Sequence, residues 1–189
     1  MKNYDLKDYD LYIVDLDGTL YDLRAVKALT VLKALVKPHR ISEYLIVQKY
    51  RKLYRLGYSE KERFERLPDN APEIINRHML QGPEKLIHFF RSRKLIQELE
   101  QKMTEGKTVV VYSDYPVKEK IRAVDFIPDR AYDSDGLNSM KPDPAGIKAA
   151  LIRDGLYSDN CLVIGDRMDK DGELAKNLGV DHLIRKRFH

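Results

Sequence analysis

The sequence predicts an α/β fold, a doubly wound parallel sheet into which an all-helical segment is inserted. Three observations predict it. Short apolar runs of strand length recur at Leu11–Val14, Thr108–Tyr112, Cys161–Ile164 and Val180–Ile184, each nearly continuous, as in strands buried on both faces. Helical patterns separate the later runs, at Pro116–Val124, Pro144–Arg153 and Lys170–Leu178. That alternation is the rhythm of a parallel sheet. Residues 22–104, between the first two runs, hold helical spacing and no strand pattern.

The elements follow in chain order. Met1 to Asp10 carry three aspartates and no apolar stretch, which does not read as a secretory signal. In the insert, Ile41, Tyr44, Leu45, Gln48 and Lys52 keep helical spacing, with Leu53 and Leu56 continuing the apolar face. Gly57 ends that helix. Ser59 with Glu62 forms a capping-box pattern for the next. The stretch Leu67–Pro72 reads as a loop, and Gly82-Pro83 opens another helical stretch. Pro116 and Pro144 stand where a helix takes proline in its first turn, and Asp143 is a candidate N-cap. The expected division is an α/β core at 1–21 and 94–189 with a helical insert at 22–93. The last five residues, from Arg185, read as a frayed tail.

Composition narrows the class. The chain has 189 residues, 43% hydrophobic and 34% charged, with 8 Pro and 10 Gly, which excludes collagen-like, low-complexity and wholly disordered chains. No apolar run nears the roughly 20 residues of a membrane helix. A single cysteine, Cys161, excludes an internal disulfide and a thiolate metal site. The expectation is a soluble cytoplasmic protein without a membrane partner. The net charge is +4, but residues 22–93 hold 16 Lys and Arg against 8 Asp and Glu. A basic segment attracts a phosphorylated small molecule, a nucleic acid or an anionic surface, or only solvates a helical face.

Four local patterns carry chemistry. Asp15-Leu16-Asp17-Gly18-Thr19 follows the first strand. Two carboxylates at i and i+2 beyond a strand end can meet at the open sheet edge, where ligands bind. They repel unless a cation or proton offsets them, and their oxygens suit Mg²⁺. The same pattern also occurs in ordinary turns. Ser113-Asp114 follows the second strand and could hold a phosphate oxygen or merely cap a helix. Lys141-Pro142-Asp143-Pro144 precedes a helix, with stiff backbone around the lysine. Gly165-Asp166-Arg167-Met168-Asp169-Lys170-Asp171 follows the third run and crowds three acids at one strand end. These need a cation or a lysine, and Lys141 is available.

In this order and placement the four patterns resemble the haloacid dehalogenase superfamily, over residues 8–21 and 94–184. Most of its members are Mg²⁺-dependent phosphatases, and the helical insert resembles its C1-type cap by position and helicity. The resemblance implies a phosphatase for a small phosphorylated metabolite. Asp15 would be the nucleophile, forming an aspartyl-phosphate, and Asp17 the general acid/base, with a pKa high enough to carry a proton part of the time. Ser113 would bond a phosphoryl oxygen and Lys141 would neutralise the nucleophile. Mg²⁺ would sit on Asp15, Asp166 and the backbone carbonyl of Asp17, with Asp171 in support; either Asp169 or Asp171 could be the nearer acid. Dehalogenases of the superfamily lack an acid at the position of Asp17, because a halide leaves without a proton. Asp114 stands where asparagine is frequent, and Tyr21 and Asp22 fall where a cap hinge would.

Two alternatives remain open at this level. One is a sugar phosphomutase. The other is a non-catalytic regulator binding nucleic acid through the basic insert, although the insert shows no recognisable nucleic-acid module. In the phosphatase reading, basic residues within 24–66 contact the anionic substrate, with Arg24, Lys27, Lys49 and Arg51 as unranked candidates. His39, His78 and His88 show no metal-ligand spacing.

Overall fold

The computed structural model describes residues 6, 8–35, 40–81 and 84–185. Residues 186–189, His39 and the Gly82-Pro83 pair read as opening a helical stretch lie outside them. Five parallel strands form one sheet: β1 Leu11–Val14, β2 Thr108–Ser113, β3 Arg130–Asp133, β4 Cys161–Gly165 and β5 Asp181–Ile184, in the order β3-β2-β1-β4-β5. The central strand β1 is flanked on both sides, with Leu11 in register with Thr108 and with Cys161. Its four residues are buried.

Alternation across the pleat gives each face its own core. Tyr12, Val14, Val109, Val111, Leu162 and Ile164 pack on one face, joined by Leu95, Ile96 and Leu99 of helix α6 (Arg93–Thr104) and by Val124 of α7 (Lys118–Val124). Leu11, Ile13, Val110, Tyr112 and Val163 pack on the other, against Ile147 and Leu151 of α9 (Ala145–Arg153) and Leu174 of α10 (Glu173–Leu178). Burying such a side chain contributes about 1.5–3 kcal/mol. The sheet is therefore the rigid base of the site.

Several sequence expectations change. Strand β3 is absent from the sequence reading. It is an edge strand in which only Tyr132 is buried, so Arg-Ala-Tyr-Asp carries little apolar signal. Helix α7 begins at Lys118 rather than at Pro116. Arg185 is not a frayed end: it is buried, and its guanidinium donates to Thr19 O at 2.7 Å and to Ser92 Oγ at 3.1 Å.

The insert contributes α1 (Leu23–Leu35), α2 (Arg40–Arg55), α3 (Glu60–Glu65), α4 (Ala71–Ile75), a π-helical turn at Asn76–Gln81 and α5 (Glu84–Phe89). The helix starting at Ala71 shortens the expected loop. The Ser59–Glu62 capping box forms as the sequence implies. The chain leaves and returns side by side, with Ser92 N donating to Leu20 O at 2.8 Å and Asp22 N to Phe90 O at 3.0 Å. Val26 and Ile87 join the core cluster, whereas Val47, Tyr50, Tyr54, Leu67, Ile74 and Ile75 form a separate one. Arg63, 2% exposed, lies over the Tyr50 and Tyr54 rings and pairs with Asp135 at 3.0 Å. The Tyr54 hydroxyl shares a hydrogen bond of 2.6 Å with Ser134 Oγ. Both contacts tie α2 and α3 to α8 (Ser134–Leu137), beside the sheet edge. No described helix is long and apolar enough to cross a membrane.

Candidate active site

The site forms where the strand order reverses, at the carboxyl ends of β1, β2 and β4, the usual ligand crevice of an open α/β sheet. Beyond β1, Asp15 stays tied to the sheet through its N–H, which donates to Ile164 O at 2.8 Å. Leu16 is fully buried in the core, which turns Asp15 and Asp17 the other way. Gly18 then takes φ +105°, and a Cβ there would lie 2.3 Å from Asp166 Oδ2. A Cβ on Gly165 would lie 2.1 Å from Asp171 Cγ. Only glycine allows these two backbones so close to the carboxylates.

Asp15, Asp166 and Asp171 each offer a carboxylate oxygen within 4.8 Å of one another. Lys141 enters among them, with Nζ donating to Asp15 Oδ1 at 2.5 Å and to Asp171 Oδ1 at 2.7 Å. Thr19 Oγ1 donates to Asp15 Oδ2 at 2.9 Å. Burial, reinforced by the charges of Asp171 and Asp17 and opposed by Lys141, pushes the Asp15 pKa up to about 8. Burial pulls the Lys141 ammonium down, but the two carboxylates outweigh it and hold it well above its ordinary value. Burial and Asp171 also raise Asp166, which has no hydrogen-bond or ion-pair partner among the described residues. Crowded oxygen donors, one of them unpartnered, fit a hard divalent cation such as Mg²⁺.

The choice between the two later acids falls to Asp171. It is 1% exposed, while Asp169 is exposed and paired with Arg167. Asp114 anchors the lysine loop, accepting from Lys141 N at 2.9 Å, with Lys170 Nζ 3.5 Å from its other oxygen.

The Asp17 carboxylate stands outside this acid cluster. Lys120 Nζ donates to both its oxygens, at 2.8 and 2.6 Å, the Tyr21 hydroxyl donates to Oδ1, and Ser113 Oγ donates to Oδ2 at 3.2 Å. Burial pushes Asp17 up, but Lys120 and Tyr21 outweigh it, and its pKa is lowered. This differs from the raised pKa that an acid/base role predicts. Sequence reasoning missed Lys120, which lies on α7 seven residues after Ser113 and 6% exposed. Its only signal was a lysine on the buried side of a helix next to the second motif. Tyr21, read from the sequence as a hinge, is buried, and burial with the Asp17 charge holds its hydroxyl well above the ordinary tyrosine pKa.

These groups open on one cavity of about 860 Å³. Its floor is the sheet edge; its roof includes Lys27 of α1 and Arg51 and Arg55 of α2. Arg24 also lines it, but Lys49, an unranked candidate from sequence, is exposed and off the lining.

The haloacid dehalogenase-like hydrolase family model matches residues 9–179. The chain belongs to that family. Solved structures agree on the fold. The chain is 16% identical to the HAD-hydrolase YfnB from Bacillus subtilis, bound to magnesium, with TM-score 0.59, covering 93% of this chain and 86% of that one. It is 20% identical to a HAD phosphatase from Thermococcus onnurineus, with TM-score 0.59 and coverage of 94% and 86%. It is 19% identical to a 2-haloacid dehalogenase from Pseudomonas syringae, with TM-score 0.54 and coverage of 94% and 86%. No curated protein is detectably similar in sequence. The family thus fixes a HAD-like hydrolase, while the neighbours span more than one chemistry.

Proposed function

We propose that this HAD-like hydrolase is a Mg²⁺-dependent phosphatase that hydrolyses a small phosphorylated metabolite through an aspartyl-phosphate. The observation that carries the reading is the pairing of two unlike carboxylates two residues apart. Asp15 sits against Lys141 in the acid cluster, and Asp17 sits beside it with its own hydrogen-bond partners. A nucleophile next to a separate acid suits an ester, whose leaving oxygen needs a proton; a halide needs none.

Asp15, Asp166 and Asp171 would hold the Mg²⁺, which when bound supplies positive charge to the phosphoryl oxygens. An Asp15 oxygen attacks phosphorus in line while the ester P–O bond breaks. Lys141 opposes the burial that raises the Asp15 pKa and, together with the charge of bound Mg²⁺, would complete the ionisation of the attacking carboxylate. Asp17 gives its proton to the leaving oxygen, then takes one from the water that attacks phosphorus and frees phosphate. Ser113 Oγ, 3.2 Å from Asp17, is placed to turn toward a phosphoryl oxygen. An entering phosphate dianion competes for Lys120 and raises the Asp17 pKa, so that the acid form is gained with substrate. The remaining work is positioning and charge stabilisation.

The test is phosphate release from a panel of phosphate esters with and without Mg²⁺. Turnover that needs the metal and falls by about 10³-fold or more in Asp15→Asn is expected. Turnover of no ester by the wild type, or undiminished turnover by Asp15→Asn, sinks the reading. Recovery of an isomerised phosphosugar in place of free phosphate points instead to a mutase.

A further inference from the structure

Charge pairing in the cavity is uneven. On the sheet side the cations are matched: Lys141 with Asp15 and Asp171, Lys120 with Asp17, Lys170 near Asp114. Away from the cavity, Arg63 pairs with Asp135 and Arg77 with Glu43 and Glu73, whereas Arg24 and Arg55, which line it, have no carboxylate partner among the described residues. The roof differs. Lys27 and Arg51 line the cavity, and neither has a carboxylate partner among the described residues. Asp22, another acid of the lining, is occupied in capping α1, accepting from Arg24 N at 2.9 Å and Ala25 N at 3.0 Å, while Asp17 and Asp166, whose charges reach Lys27, belong to the catalytic groups. Arg51 and Arg55 share one face of α2 with Tyr44, Val47 and Gln48, all lining the cavity. Helical spacing of three and four residues puts these side chains in one row. Desolvation and the charge of Arg51 pull the Lys27 pKa below its ordinary value, outweighing the opposite pull of Asp17 and Asp166.

A transferring phosphate is already served by Lys141, Ser113 and the acid cluster, so it does not need these two cations as well. We infer that Lys27 and Arg51 form a second anion subsite, and that the substrate is a phosphate ester carrying another anionic group, a carboxylate or a second phosphate, at its far end. The inference rests on the phosphatase reading and names its substrate class. The planar guanidinium of Arg51 matches either anion with two parallel hydrogen bonds, while Lys27 adds a point charge. The cavity volume, about 860 Å³, accommodates both ends of a sugar-sized ester. A neutral hydroxyl at the far end would leave the two cavity-facing cations without an anion.

The test reads binding, so that it stands apart from turnover. Full-length Asp15→Asn protein with Mg²⁺ is titrated calorimetrically with matched esters of two lengths. The three-carbon set is glycerol 1-phosphate, 3-phosphoglycerate and glycerol 1,3-bisphosphate; the five-carbon set is ribitol 5-phosphate and ribitol 1,5-bisphosphate. At least one doubly anionic ester is expected to bind about tenfold or more tighter than its singly anionic match. The carboxylate and bisphosphate arms identify which anion the subsite takes. Adding Arg51→Met or Lys27→Met should shrink that preference to about threefold or less, and Arg51→Lys should restore part of it. Lys49→Met, off the cavity, should leave it intact. Equal binding of every matched pair, or a preference that survives both substitutions, overturns the inference. Wild-type protein that hydrolyses no ester overturns the phosphatase reading instead.

Discussion

Asp15 and Asp17 leave the same loop two residues apart, yet they enter opposite environments. Asp15 shares Lys141 with Asp171 and lies within reach of Asp166, and crowding in a buried place pushes its pKa up to about 8. Asp17 has Lys120 and the Tyr21 hydroxyl to itself, and its pKa is lowered. One lysine among three acids leaves a deficit of positive charge, which a divalent cation would fill. One lysine on one acid leaves none. The difference teaches that the proximity of carboxylates does not settle their protonation; the number of cations each must share does.

The strongest way to break this comparison is to remove its shared cation. Lys141→Met should cost the metal-free protein about 3–5 kcal/mol of stability in urea unfolding, because two buried acids lose their only ammonium. A cost near zero would mean that Asp15 and Asp171 do not depend on it. Lys120→Met should cost less, about 1–3 kcal/mol, since Asp17 keeps Tyr21 and Ser113. The pH dependence fixes the sign. A carboxylate whose folded pKa is depressed adds stability above its ordinary pKa and loses it as pH falls through the folded value. The gap between wild type and Lys120→Met should therefore be full at pH 7 and close in acid; a gap that is constant with pH would contradict the lowered Asp17.

Gly18 separates the two environments. Gly18→Ala should cost about 1–3 kcal/mol, from the positive φ and from a Cβ driven into Asp166. The thermal midpoint and phosphate release should fall together. The smallest effect sharpens the charge-deficit argument. Protons compete with a cation for Asp15, whose pKa is about 8, and for Asp166, which is also raised. Mg²⁺ should therefore raise the melting temperature by about 2–5 °C at pH 8 and by much less at pH 5. An equal rise at both values would place the ion elsewhere.

Much of this was legible in the sequence, and the reason is local. Leu11–Val14, Val109–Tyr112 and Cys161–Ile164 are apolar throughout because both sheet faces bury them, so no partner was needed to read them as strands. Asp15 and Asp166 directly follow strand ends, Ser113 is the last residue of β2 and Asp17 lies two residues past Asp15, so the strands place them. Strand β3 was not legible, because an edge strand buries little, and neither was the buried Arg185, because its partners Thr19 and Ser92 are remote in the chain.

What the sequence by itself determined is therefore the doubly wound sheet and the loop ends on which the acids ride, since hydrophobic periodicity and strand-end position are properties of neighbouring residues. Only the tertiary structure decided which cation meets which acid. It paired Lys120 with Asp17 across 103 positions and Lys141 with Asp15 across 126, it chose Asp171 over Asp169, and it left Lys27 and Arg51 facing the cavity. The physical reason is that a long-range ion pair depends on where two helices dock, and docking is set by packing that no single segment contains.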